Sequence, residues 1–158
     1  MNSGTSLLFF LREHPEILLD LEDLNKFAFK SAHLSNGYLT LTINKKDVKL
    51  HRLVMNASQD MYVDHINGNI LDNRKENLRI CTMQQNNCNT KLRSNNSSGY
   101  KGVSYNKENR KWRAYIAVHG STHYLGYYKT AKEAAERYNK AAPIYHGEFA
   151  QLNIIEEI

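Results

Sequence analysis

A chain of 158 residues, 41% hydrophobic and 23% charged with two prolines, has a globular composition and room for one ordinary domain or two very small ones. It contains no run of about 18 apolar residues, which excludes a membrane-spanning helix. The net charge of +5 is unevenly placed: residues 91–129 hold eight Lys or Arg and one acid, while the rest of the chain holds thirteen bases against fifteen acids.

In chain order, the first feature is the apolar run Leu7, Leu8, Phe9, Phe10, Leu11. It has no positive region before it and no small-residue cleavage site, and Arg12, Glu13 and His14 follow it. It therefore reads as a core segment rather than a signal peptide, and a soluble, cytoplasmic protein is expected. Residues 16–30 carry apolar side chains at both helix-like and strand-like spacings, so no element is assigned there. Residues 38–43 and 48–50 flank the polar stretch 44–47, which predicts a β-hairpin. A short helix begins at His51.

Next, Met61, Tyr62 and Val63 form a strand running into Asp64 and His65, and a loop rich in Asn, Gly and Asp spans residues 67–73. Residues 78–81 read as a second strand. Thr82 then caps a helix carrying Gln84 to Asn89. Cys81 and Cys88 are seven residues apart and cannot supply four zinc ligands. They read as thiols in a reducing compartment, and no zinc is expected.

Residues 91–98 have the composition of a linker. Beyond them, residues 99–106, 111–119 and 122–128 predict three strands with glycine at the turns. Thr130 caps a helix to about residue 145, whose Ala134, Ala135, Tyr138, Ala141 and Ala142 share one face of mostly small residues. Such a face lets a helix lie close to a sheet. Tyr100, Tyr105, Trp112, Tyr115 and Tyr124 are interleaved with the positive charge, a combination that favours a nucleic-acid surface over a merely solvated face.

Hydrolysis of a phosphodiester needs a base that works near neutral pH, and histidine is the natural choice. It also needs a hard cation to neutralise charge on the phosphate and the leaving oxygen, held by oxygen ligands. Asp64 and His65 supply carboxylate and base as neighbours. Asn77 follows His65 by twelve residues, and Asn86 follows Asn77 by nine.

The string Val63-Asp64-His65-Ile66-Asn67-Gly68-Asn69, with Leu71-Asp72-Asn73-Arg74-Lys75-Glu76-Asn77-Leu78-Arg79 and Gln85-Asn86, resembles the HNH nuclease motif, in its phage-like homing subgroup. His51-Arg52-Leu53-Val54 fits the same subgroup, and the resemblance covers roughly residues 37–90. It implies a ββα-metal fold and a reaction leaving 5′-phosphate and 3′-hydroxyl ends. Asp64 and Asn86 would bind the metal, with Asn87 the alternative to Asn86. His65 would be the general base, and Asn77 would orient His65 or pin the loop. The oxygen donors suit Mg²⁺, with Mn²⁺ possible and zinc not expected. Gly68 is expected at a turn with positive φ. Asp72 and Asn73 read as loop-stabilising, and Arg74 and Arg79 as phosphate contacts or loop braces. His51 reads as a buried, hydrogen-bonded histidine in preference to a site residue.

Residues 98–153 resemble the apetala-two, ethylene-response-factor type of DNA-binding domain. The matching residues are Tyr100-Lys101-Gly102-Val103, Lys111-Trp112-Arg113-Ala114-Tyr115-Ile116, Tyr124-Leu125-Gly126-Tyr127-Tyr128 and the helix beginning Ala131-Lys132-Glu133-Ala134-Ala135. In such a domain a three-stranded sheet enters the major groove. Strand alternation puts Trp112, Ala114, Ile116 and Val118 toward the helix and Lys111, Arg113 and Tyr115 toward DNA. Lys101, Ser104, Thr122 and Tyr124 match family positions that touch DNA. Ser104, Tyr115, Thr122 and Tyr124 differ from the residues of plant relatives, so no target sequence is carried over.

The combined expectation is an α+β protein. Residues 1–90 form the nuclease domain with an N-terminal hairpin extension, 91–98 a linker, and 99–158 a three-stranded antiparallel sheet packed on one helix. The protein would be a metal-dependent DNA endonuclease acting on duplex DNA, monomeric or homodimeric, with no membrane partner. Two other readings stay open on residues alone: a DNA-binding regulator on a decayed HNH scaffold, and an RNA binder using the aromatic sheet.

Overall fold

A computed structural model describes residues 6–89, 92 and 96–155. The chain divides into two units, Met1–Asn86 and Asn87–Ile158.

The first unit begins with α1 (Leu7–Glu13) and α2 (Leu21–Phe27). Only part of the apolar N-terminal run is core: Leu7 is fully buried, while Leu8 and Phe9 are exposed. Strands β1 (Ser31–Ser35), β2 (Tyr38–Ile43) and β3 (Lys46–Lys49) form an antiparallel sheet with β2 in the middle. Both connections are two-residue turns with positive φ, Asn36 at 51° with Gly37 at 80°, and Asn44 at 50° with Lys45 at 63°. Turns of this kind match the right-handed twist of the flanking strands. The hairpin loop expected at 44–47 is thus only Asn44 and Lys45, because β3 already starts at Lys46. The segment 16–30, where no element was assigned, holds α2, and the unpredicted strand β1 is added after it on the other side of β2.

Helix α3 (Leu50–Val54) follows β3 directly. Strands β4 (Tyr62–His65) and β5 (Leu78–Cys81) then pair antiparallel, with Asp64 opposite Arg79 and His65 opposite Leu78. Val63 and Leu78 join Leu7, Phe27, Leu41 and Leu50 in one core, which anchors this hairpin to the three-stranded sheet. Helix α4 (Met83–Cys88) comes next. As expected, Thr82 caps it: its Oγ1 accepts from the Gln85 N–H at 3.3 Å, and Gln85 Oε1 accepts from the Thr82 N–H at 2.8 Å. This reciprocal pair satisfies two donors that would otherwise be orphaned at the helix start.

The second unit holds β6 (Val103–Asn106), β7 (Lys111–Val118) and β8 (Ser121–Tyr128) in antiparallel order, then α5 (Ala131–His146). Thr130 and Glu133 form a full capping box at the start of α5. Ala134, Ala135, Tyr138, Ala141 and Ala142 are its buried residues, the face read from the sequence. They pack on Val103, Ala114 and Ile116. Asn153 fastens the tail: its amide bonds both backbone groups of Lys101, and its own backbone bonds the Asn139 side chain.

Of the stretch read as a linker, residues 91 and 93–95 lie outside the described residues. Asn96 and Ser98 belong to the second unit's hydrogen-bonded turn, where Ser98 Oγ donates to the carbonyls of Tyr100 and Val103.

Gly102 is where this unit is tightest. Its φ is +69°, and a Cβ there would collide with the Tyr138 ring and the Tyr115 carbonyl. Gly102→Ala adds strain in the left-handed region to an overpacked contact. It should destabilise the second unit by about 2 kcal/mol or more, measured by denaturant melting of the full chain. Unchanged stability would contradict the packing of α5 described here.

Candidate active site

Strand β4 carries Asp64 and His65 as neighbours, and alternation along the strand sends them to opposite faces. Asp64 is 6% exposed and receives the Arg79 guanidinium on Oδ2, from Nε at 2.9 Å and Nη2 at 2.7 Å. Arg79 is therefore a carboxylate partner in this structure, in place of the phosphate contact or loop brace expected of it. Burying a carboxylate demands such a partner.

His65, 5% exposed, lies among rings. Its ring centroid is 5.1 Å from His51 in an edge-to-face arrangement and 6.2 Å from Tyr38. Tyr38 and His51 are 5.3 Å apart, and the Lys49 ammonium sits 4.0 Å above the Tyr38 ring. Burial lowers the His65 pKa, opposed by the Asn73 side chain and the charges of Asp64 and Asp72. Burial also pushes His51 down to about 3, helped by the positive charges of His65, Lys49 and Arg52. His51 is buried as expected. However, its Nδ1 has no hydrogen-bond partner among the described residues, and its ring adjoins His65. Histidine spacing alone gives no signal for that contact, which depends on α3 packing beside β4.

The loop between β4 and β5 is held by side chains. Asn77 accepts the Asn67 N–H on Oδ1 at 3.0 Å and donates from Nδ2 to the Asp72 carbonyl at 2.8 Å. Its own carbonyl accepts the Ile66 N–H at 2.8 Å. Of its two expected roles, pinning the loop is the one these bonds describe. Asp72 is buried and paired twice with Arg74, at 2.9 and 2.8 Å, and accepts from Asn67 Nδ2 at 3.0 Å. The Arg74 guanidinium beside it holds the Asp72 carboxyl below the usual range. Gly68 has φ +70° and returns its N–H to the His65 carbonyl. Asp64, His65 and Asn77 thus belong to one braced hairpin. Asn86 is on the following helix, half-buried, with its backbone N–H on the Thr82 carbonyl, and Asn87 beside it is exposed. Among the described residues no group of three His, Cys, Asp or Glu is arranged to hold a metal ion.

In the second unit, Ser104, Arg113 and Tyr127 are directly opposite one another across β6, β7 and β8, and Tyr115 is opposite Tyr124. Arg113 donates to Ser104 Oγ, and its guanidinium is 5.4 Å from the ring centroids of both Tyr115 and Tyr124. Thr122 faces Ala117 two positions further along, and Lys111 precedes Arg113 on the same face. Ala114 and Ile116 point the other way, into the helix side.

The sequence reading missed Tyr127. A bulge at Leu125 puts two residues of β8 against one step of β7, so Tyr124 and Tyr127 share the outer face despite odd spacing. Gly126, at φ +128°, was the available signal. Lys101 is not brought to this face. Its half-buried ammonium bonds the Cys88 carbonyl and Gln151 Oε1, and burial lowers its pKa. It sits in the turn before β6, so strand alternation could not have placed it.

Residues 48–88, which contain His51, Asp64, His65, Asn77 and Asn86, match the HNH endonuclease family. The chain is 36% identical to an uncharacterized HNH endonuclease of Acanthamoeba polyphaga mimivirus, over 69% of this chain and 59% of that protein. It is 34% identical to Protein 3.8 of Escherichia phage T7, over 58% of this chain and 74% of the phage protein. No solved structure matches the chain. By the family match, residues 48–88 are an HNH endonuclease domain. The chain spans 59% of the mimivirus protein's length. No helix among the described residues is long and apolar enough to cross a membrane.

The depressed His51 pKa has a measurable consequence. The unfolded chain takes up a proton near pH 6.5, which the folded chain refuses until about pH 3. Stability from this group is therefore complete above pH 6.5 and is lost progressively as pH falls toward 3. The melting temperature of the wild type should fall more steeply than that of His51→Phe between pH 6.5 and 4. Parallel curves would contradict the burial of a neutral His51.

Proposed function

We propose that the protein is a metal-dependent DNA endonuclease, and that the β4, β5 and α4 segment is its ββα-metal core. The observation that carries this reading is the buried Asp64–His65 pair at the end of β4, braced by Asn77 within the HNH domain. His65 takes a proton from the attacking water. Its pKa is lowered by burial, so its neutral, proton-accepting form prevails at physiological pH. Asn77 fixes the loop that leaves His65, and so limits how far the base can drift from the scissile phosphate.

Asp64 and Asn86 are the residues that would hold a divalent cation, and their all-oxygen donor set suits Mg²⁺ or Mn²⁺. Such a cation neutralises charge developing on the phosphate and the leaving oxygen. Because the Arg79 guanidinium already occupies Asp64 Oδ2, a bound cation would compete with it for the carboxylate or share the carboxylate with it.

The second unit is proposed as an apetala-two-like module that positions the nuclease on duplex DNA. Its outer sheet face offers Lys111 and Arg113 for phosphates or guanine edges, and Ser104, Tyr115, Thr122, Tyr124 and Tyr127 for contact with sugars and bases. Lys101 is left out of this set, since its ammonium is committed elsewhere.

One experiment covers both halves. The full chain is incubated with supercoiled plasmid or phage DNA, with Mg²⁺ or with EDTA, and binding is followed in parallel by gel shift. Cleavage should require Mg²⁺, and Asp64→Asn should abolish it while leaving binding intact. Arg113→Ala should weaken duplex binding by roughly tenfold, about 1–3 kcal/mol, if it reads a base edge. Full cleavage in EDTA would remove the metal mechanism. Unchanged binding by Arg113→Ala would remove the sheet face from the DNA interface.

A further inference from the structure

His51 is a histidine in an unusual position. It is 5% exposed, near the start of a short helix whose neighbouring Leu50 is fully buried. A buried histidine in a core usually repays its desolvation through hydrogen bonds from both nitrogens. Here Nδ1 has no partner among the described residues. An unmatched buried polar atom is destabilising, and a phenylalanine or leucine would avoid that cost. What the imidazole does have is ring contact, to His65 at 5.1 Å edge-to-face and to Tyr38 at 5.3 Å. Both spacings lie in the range where aromatic pairs fix one another's orientation. Residues that break a folding rule without local compensation concentrate at working sites.

We propose that His51 is a positioning residue for His65, its ring holding the His65 imidazole in the orientation from which it takes a proton from water. This rests on the reading of His65 as the general base. Tyr38 completes the ring cluster from the β2 side, and the Lys49 ammonium caps the Tyr38 ring. The arrangement is compatible with proton uptake by His65, because His51 stays uncharged well below neutral pH and adds no like charge against the imidazolium.

The full-length chain is tested as His51→Leu, which fills the volume without a ring edge, and as His51→Phe, which keeps a ring. Steady-state cleavage of plasmid DNA with Mg²⁺ gives kcat and KM. The order of the His65 ring is read by NMR on protein labelled with ¹³C in the imidazole. His51→Leu should lower kcat by about tenfold or more with KM within about twofold, since misorientation of a catalytic group acts on the chemical step. The His65 ring should become mobile in that variant. His51→Phe should restore kcat to within about threefold and keep the His65 ring ordered. If His51→Leu melts below the assay temperature, His51→Met takes its place.

The proposal is overturned if the leucine variant keeps kcat within twofold or an ordered His65. It is also overturned if His51→Phe loses as much activity as His51→Leu, because a nitrogen rather than the ring contact would then be what the site uses. Absence of Mg²⁺-dependent cleavage by the wild type would defeat the base assignment itself and the proposal with it. Those two failures are distinguished by the wild-type control.

Discussion

The side chain of Asn77 closes a loop of about ten residues onto itself, from Asn67 to the Asp72 carbonyl, and the rest of the site depends on that closure. A loop with this much Asn, Gly and Asp has many accessible conformations, and fixing each residue costs of order 1 kcal/mol or more. Asn77 spends both ends of one amide on the backbone, and Asp72 with Arg74 and Asn67 adds a second set of ties. The outer strands of the loop then meet in register, so that Asp64 faces Arg79 and His65 faces Leu78. Slippage by one residue would exchange those faces and turn His65 out of its ring cluster.

With register set, the two functional neighbours acquire different surroundings. Asp64 faces the Arg79 guanidinium, 2.7 Å away. His65 faces rings, and its burial lowers its pKa against the opposing effect of the Asn73 side chain. The two side chains are adjacent in sequence yet placed on opposite faces of one strand. On the proposed reading, these separate surroundings let one side chain serve a cation and the other serve as base.

Much of this was legible from residue order. The hairpin of β4 and β5, the Thr82 cap, the positive φ of Gly68 and the alanine face of α5 follow from local rules acting over a few residues. What escaped depends on longer range or on a register change. Strand β1 was not assigned, although Asn36-Gly37 just before β2 is a strong turn signal; the mixed apolar spacing upstream obscured it. Tyr127 reaches the outer sheet face only because of the bulge at Leu125, and alternation counted from Tyr124 puts it on the wrong side. Lys101 matched a family position that touches DNA, but tertiary folding half-buries its ammonium against the Cys88 carbonyl. His51 lies fourteen residues before His65, at no spacing that signals contact, and only the packing of α3 brings the two together.

The second unit follows a simpler logic. Small side chains on α5 and Gly102 allow the helix to lie close to the sheet, which frees the opposite face for Arg113 and its tyrosines. On the proposed reading, that face serves binding and the His65 site serves chemistry. The most direct test of that division is single-turnover cleavage by His65→Ala beside the wild type, at saturating protein with Mg²⁺, with duplex binding measured on the same samples. The account predicts cleavage reduced by ~10²–10⁴-fold with binding unchanged; cleavage within about threefold of the wild type would contradict it.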